Sequence, residues 1–191
     1  MKALLLNGPG KPFSIETIKD PTPEKGYAVA KVLACGSGLT IQHVKAGRIT
    51  VNYPRIIGHE IIGEIVELNG HGGDLEIGTP VTAFFYLTCG HCRWCNIDRE
   101  TLCDNFRGYI GREIDGGYAE YIKLPIENFI KIPEEIDYKN NLLETAVVCD
   151  AVATPLKIIK KAKISSFDKV GVIGAGGGLG IHMLKMLKLN N

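Results

Sequence analysis

Four cysteines, Cys89, Cys92, Cys95 and Cys103, fall within one short run, "CGHCRWCNIDRETLC". Thiolate sulfur is a ligand that zinc favours, and tetrahedral zinc takes four of them at about 2.3 Å. The close spacings let one loop wrap an ion, and the longer excursion to Cys103 supplies the fourth corner. Four sulfurs close the shell, so a zinc held here is structural, without an open position for substrate. Four thiolates on Zn²⁺ leave a charge of −2, which the nearby Arg93 and Arg99 can offset. His91 is a rival ligand, but the sulfurs already complete the shell. The plainer alternative is a set of ordinary thiols. A redox C-x-x-C pair needs a different, βαβ setting.

Two further stretches carry chemistry. In "YPRIIGHEIIGEIVEL", His59 and Glu60 stand at the start of an apolar strand, after Gly58, which permits close backbone approach. Alone the pair is weak evidence, because a buried, hydrogen-bonded histidine is the commoner case. Near the end, "VGVIGAGGGLG" reads as strand, glycine turn and helix. Gly174, Gly177 and Gly180 have a G-x-x-G-x-x-G spacing, with Gly176, Gly178 and Leu179 between them. Backbone N–H groups at such a helix start can meet a pyrophosphate. The alternative is a plain tight turn. The acidic residue that reads a ribose follows about 20 residues later, beyond Asn191, so NAD and NADP are not distinguished.

These groups need elements to hold them. The chain has 191 residues, 45% hydrophobic and 23% charged, with a net charge of +1 and a pI near 7.6. A chain of this size buries about 70% of its unfolded surface and needs no disulfides. The neutral balance lacks the basic field of a nucleic-acid binder or a polybasic membrane anchor. No apolar run approaches the ~20 residues of a spanning helix, and "MKALLLNGPGKP" reads as an opening strand, not as a signal peptide. The expected location is cytoplasmic, where six cysteines are thiols or ligands.

Up to about residue 135 the runs are short and β-like: "KALLL", "YAVAKVLA", "EIIGEIVEL", "TPVTAFFY" and "AEYIKL", separated by Gly, Pro and Asn turns. Many short strands predict a barrel or sandwich. After Pro133, "NNLLETAVVCDAVATPLKIIKKAK" favours helix, with Thr154-Pro155 either an N-cap followed by a first-turn proline or a kink. Val170 to Ile173 predicts a buried parallel strand, and Ile181, Leu184 and Leu187 predict one apolar helix face.

Taken together, the motifs resemble the medium-chain, zinc-dependent alcohol dehydrogenase family. The resemblance runs the length of the chain and rests on "GHE", the four-cysteine lobe, "DGGYAEY", "IPE", "VVCDAVATPL" and "VGVIGAGGGLG". It implies a mainly β fold with an α/β C-terminal part. A GroES-like catalytic domain spans 1–150, with its structural zinc lobe at about 88–104. A connecting helix and the first strand-turn-helix of a truncated Rossmann domain span 151–191. The implied cofactors are zinc and NAD or NADP, the partner a small alcohol or carbonyl substrate, with no nucleic acid or membrane. The full-length form is implied to be a homo-dimer or homo-tetramer. One strand and one helix do not make a nucleotide-binding sheet, so the chain reads as a fragment, inactive by itself.

The resemblance also implies a catalytic zinc held by His59, Cys149 and an earlier cysteine, with Glu60 beside the ligands or among them. In the family that earlier cysteine lies twenty-one residues before the histidine. The position here is Gly38, while Cys35 falls on a non-ligating cysteine. The same register places Thr40 on the hydroxyl that relays the alcohol proton and His43 on the outer histidine of the relay, with Ile41 in place of the usual aspartate. Two readings stand. In one, His59, Glu60 and Cys149 hold a zinc with an open fourth position. In the other, the catalytic metal is lost, and the protein is a reductase of activated C=C bonds or quinones. Rival classes are a non-catalytic GroES-like binding domain and a zinc-ribbon module for nucleic acid.

Overall fold

The computed structural model describes residues 1–189. The chain divides into two compact units, Met1–Ala146 and a second from Val147 onward.

The first unit is built from eight strands: β1 (Lys2–Leu6), β2 (Phe13–Thr17), β3 (Tyr27–Cys35), β4 (Arg55–Ile56), β5 (Ile61–Asn69), β6 (Pro80–Ala83), β7 (Tyr121–Pro125) and β8 (Phe129–Lys131). Two short helices join them, α1 (Leu39–Lys45) and α2 (Leu142–Ala146). The strands form a three-stranded sheet, β2-β1-β4, and a five-stranded sheet, β7-β3-β5-β6-β8, with antiparallel pairing throughout. The segment just before β7 stitches the two sheets together. The Leu4 amide donates to Tyr118 O (2.8 Å), Glu120 to Lys2 O (3.0 Å) and Val32 to Glu120 O (2.9 Å). This bridging turns two sheets into the expected barrel-like arrangement.

Why β3 is central follows from its sequence. Ala28, Val29 and Ala30 are buried in succession, where a strand with one wet face alternates. β3 lies between β5 and β7, and register shifts at Val29/Ala30 and Val32/Ala34 twist it further. Ile61, Ile62 and Ile65 of β5 are sealed at 1% exposure or less. Ile61 and Ile65 share a core with Ala28, Ala30, Leu124 and Ile122.

The five apolar runs read in the sequence supply β1, β3, β5, β6 and β7. The run "TPVTAFFY" leaves the β6 ladder at Ala83. There the Phe84 amide turns to Asn128 O (2.8 Å), and the Asn128 side chain donates to Phe84 O and Tyr86 O (2.6 and 2.9 Å). Strands β2, β4 and β8 were not among the runs. β4 has two residues and β8 three, and β2 leaves Ile15 76% exposed, so none has an apolar period to read.

In the second unit, a wide π-type turn at Val148–Val152 leads into α3 (Ala153–Ala162), and α4 covers Gly178–Leu189. Thr154 is not the cap of α3, because the helix begins one residue earlier. Its hydroxyl instead bonds Asp150 Oδ1 at 3.0 Å. Pro155 sits in the first turn, where its missing N–H is tolerated, and the loosened turn before it is the accommodation expected of a helix that loses a hydrogen bond. α4 packs against α3.

Two expectations for this unit are corrected. Val170 to Ile173 is not a strand. A strand is defined by lateral hydrogen bonds, none of the described residues provides a neighbour for it, and Ile173 is fully exposed. On α4, Ile181 and Leu184 are exposed, while Met183, Met186 and Leu187 are half-buried. The helix is apolar on more than one side, and the methionine side is the one covered. Among the described residues, no helix is long and apolar enough to cross a membrane.

Candidate metal centres and the corner around His59

The four-cysteine loop brings its sulfurs together without long-range help. Two single 3₁₀ turns, Cys95–Ile97 and Glu100–Leu102, coil the chain back on itself, with Asp98 between them in the left-handed region at φ 55°. The Sγ atoms of Cys89, Cys92, Cys95 and Cys103 all lie within 4.8 Å of one another. Separations of 3.5 Å (Cys92–Cys95), 3.5 Å (Cys89–Cys103) and 4.0 Å (Cys92–Cys103) bracket a tetrahedral edge. With zinc–sulfur bonds of about 2.3 Å, that edge is about 3.8 Å. The donor set and its spacing therefore fit a tetrahedral metal ion.

The thiols have unequal surroundings. Backbone N–H donors, that of His91 foremost, pull Cys89 down to about 6, helped by Asn105. Cys92 is lowered by the amides of Cys95 and Asp104. Burial pushes Cys95 up to about 12. Hydrogen bonding thus favours the thiolate form at Cys89 and Cys92, burial opposes it at Cys95, and a bound cation would favour it at all of them. His91 points away from the ligand role, its Nδ1 lying 2.6 Å from Cys89 O. Arg93 stacks over Trp94 at 4.8 Å and pairs with Asp104 at 3.5 Å.

The second site is a corner where three distant segments meet: the end of β3 with the turn to α1, the "GHE" turn before β5, and the "DGGY" segment before β7. The amides of Gly116, Gly117 and Tyr118 donate to Ile56 O, Gly58 O and Ile57 O at 2.8 to 3.0 Å. Glycines make the approach possible. Gly58 has φ +96°, and a Cβ there would stand 2.7 Å from both Cys35 Sγ and the Tyr118 ring. A Cβ on Gly116 would stand 2.2 Å from Gly58 O. Cys35, half-buried, fills the space that these glycines leave.

Two bonds to Gly36 tie the turn into α1 to this corner. The Gly36 amide donates to Glu60 O (2.7 Å), and the Tyr118 hydroxyl donates to Gly36 O (3.1 Å). Burial holds the Tyr118 phenol above its ordinary value. A side chain at Gly38 would point at Glu60, since its Cβ would lie 3.8 Å from Glu60 Oε2. The buried Glu60 carboxylate (5% exposed) thus faces the position where the resemblance puts a cysteine. His59 is half-buried, with Phe85 against its ring at 5.0 Å between centroids. Thr40 and His43 stand three residues apart on α1, on one helix face. Cys149 belongs to the second unit, in the wide turn before α3.

The sequence reading passed over Phe85 and Tyr118. The "AFFY" run and the tyrosine of "DGGYAEY" were the signals, but nothing in their spacing says which ring reaches His59.

In the glycine loop, Gly174 adopts φ +77° and accepts a bond from the Gly177 amide at 3.0 Å. A Cβ on Gly180 would lie 2.2 Å from Gly174 O, so both glycines are required by the turn itself. Gly176 lies within that turn, and Gly178, Leu179 and Gly180 open α4.

A GroES-like β unit carrying a four-thiol lobe and a His-Glu turn is the class that fold and site define. The chain belongs to the family of the alcohol dehydrogenase GroES-like domain, whose model matches residues 24–134. It is 33% identical to an alcohol dehydrogenase of Geobacillus stearothermophilus over 196 residues, which is 100% of this chain and 56% of that protein. It is 30% identical to an acryloyl-coenzyme A reductase of Sulfurisphaera tokodaii over 189 residues, 98% of this chain and 55% of that protein. Among solved structures, the cobalt- and zinc-bound thermostable alcohol dehydrogenase of Pyrobaculum aerophilum superposes with a TM-score of 0.90 at 30% identity, over 100% of this chain and 57% of that one. The chain thus spans little more than half the length of the curated relatives it matches.

Proposed function

We propose that this chain is the catalytic half, with the opening of the cofactor domain, of an NAD(P)-dependent oxidoreductase acting on an alcohol/carbonyl pair. Cys89, Cys92, Cys95 and Cys103 hold a structural zinc. The observation that carries the reading is the corner itself. A Cβ at Gly38 would lie 3.8 Å from Glu60 Oε2, with His59 next to Glu60 in the chain and the helix bearing Thr40 and His43 starting just after Gly38.

His59 and Glu60 of the first unit are the residues that would hold a catalytic zinc at this corner. When bound there, the ion supplies Lewis-acid activation of the substrate oxygen. The protein's own groups do the rest. Thr40 takes the hydroxyl proton of the alcohol and passes it towards His43, one helical turn on. Phe85 screens one face of His59 from water. The Gly174–Gly180 turn and the first amides of α4 receive the pyrophosphate of the dinucleotide, which carries the hydride.

A second reading has a specific observation behind it: Gly38 has no side chain to offer a metal. In that case the corner binds no zinc, and the protein reduces an activated C=C bond, as the name of the acryloyl-coenzyme A reductase relative describes for that protein. Metal analysis separates the two. The first reading expects two zinc ions per chain in the longer enzyme, one of them lost in His59→Ala. The second expects one, unchanged by that substitution. Assay of the longer enzyme with alcohols, aldehydes and enones, with both nicotinamide cofactors, checks the activity itself.

A further inference from the structure

Helix α1 ends in a reversal that brings an arginine back onto His43. The Ala46 and Gly47 amides close the helix on Gln42 O and Val44 O at 2.9 and 3.0 Å. Gly47 then adopts φ +74°, and a Cβ there would stand 2.7 Å from Pro9 Cβ, so the reversal takes place against the N-terminal loop and requires glycine. The Gly10 amide fixes that loop to Lys45 O. As a result the amides of Arg48 and Ile49 both donate to His43 O, at 2.9 and 3.3 Å. The Arg48 guanidinium lies with Nη1 3.2 Å from His43 Nδ1.

A guanidinium has donors only. The nitrogen facing it must therefore present a lone pair, and the other nitrogen carries the proton. We infer that Arg48 is a positioning residue that holds neutral His43 as its Nε2–H tautomer, with Nδ1 committed as acceptor. The second group comes from the turn beyond the helix, not from the helix that bears His43. Its significance rests on the proton path proposed above. A proton that arrives at His43 enters the ring at Nδ1 only after the Arg48 bond opens. One proton enters at Nδ1 and one leaves from Nε2, so the ring ends as the opposite tautomer. Arg48 keeps all of its own protons, and its return requires the ring to recover the Nε2–H form. That recovery takes the Nδ1 proton off to solvent and brings one from solvent onto Nε2, and the exposed Arg48 contact favours the recovered form.

The experiment is a long-range ¹H–¹⁵N correlation spectrum of the histidine-labelled 191-residue chain, at a pH where the ring is neutral. His43→Gln identifies the His43 signals. A single Nε2–H tautomer is expected in the parent chain, a mixture with a visible Nδ1–H form in Arg48→Ala, and recovery of the single form in Arg48→Lys, whose ammonium is also donor-only. An Nδ1–H tautomer in the parent chain overturns the inference, as does an Arg48→Ala spectrum with the parent tautomer ratio and an unchanged circular dichroism spectrum. The spectrum needs neither metal nor turnover, so its outcome is separate from that of the relay, which His43→Gln tests in the longer enzyme by its oxidation rate.

Discussion

The cysteine lobe and the His59 corner are both candidate sites, but they are assembled by opposite means. The lobe's four sulfurs come from one stretch, Cys89 to Cys103, and two 3₁₀ turns suffice to bring them within 4.8 Å. The corner draws on Gly36–Gly38, Gly58–Glu60 and Gly116–Tyr118, and backbone contact between glycines holds it. A local site pays its chain entropy over a short loop and tolerates change elsewhere. A site built from distant segments depends on the packing of the whole barrel. It can also carry a residue without a side chain, as at Gly38, and keep its shape.

The sharpest break between the two regions is a serine at Cys103. Structural tetrathiolate zinc contributes on the order of 10 kcal/mol to folding of its own loop, so Cys103→Ser should release one zinc per chain and open the lobe to protease. The corner should be spared, with β3 and β5 still protected from hydrogen exchange. A lobe that stays closed and metal-loaded after this change removes the structural assignment.

The converse break is Gly58→Ala. With φ +96° and a Cβ 2.7 Å from Cys35 Sγ and Tyr118, it should cost about 2–4 kcal/mol. That loss is read as a lower urea midpoint with the lobe zinc retained.

Tyr118→Phe makes a smaller cut, removing the bond to Gly36 O for about 1 kcal/mol. It carries a pH signature as well. Burial raises the Tyr118 phenol above its ordinary value of 10, so the fold favours the neutral form. Its contribution is complete below pH 10 and is lost as pH climbs through the raised value. The phenylalanine variant should lack this part of the alkaline loss, as thermal melts across the alkaline range would register.

The mildest change should be Gly38→Cys. Gly38 sits at φ −95°, and among the described residues beyond its chain neighbours Glu60 Oε2 is the atom that the new Cβ would meet, at 3.8 Å. Stability should move by no more than about 0.5 kcal/mol. Cobalt added to the zinc-loaded chain should gain thiolate charge-transfer absorption over that of the parent; no added absorption would count against a ligand position at residue 38.

Five strands and the four-thiol cluster were legible because apolar runs and cysteine spacing are local signals. The short strands were not. β4 and β8 exist because a neighbour offers hydrogen bonds, and Arg55–Ile56 would be loop without β1 beside it. Val170–Ile173 is the mirror case, since its composition asks for a strand and no partner among the described residues grants one. Gly38 was legible as a departure only by counting back from His59. That Glu60 faces the gap, and that Phe85 rather than Phe84 lies nearest His59, depends on how β5 and the segment after β6 are packed.

By itself the sequence determined the lobe, because chelation within fifteen residues is a matter of spacing and sulfur chemistry. It determined the β-rich class too, through its apolar runs. Tertiary structure alone decided the corner: which glycines touch, where Cys35 packs, what faces Gly38 and which nitrogen of His43 meets Arg48. The last follows from a five-residue reversal after α1; the other three are relations between segments tens of residues apart. Only the closing of the two sheets, through the residues before β7, brings them to the same few ångströms.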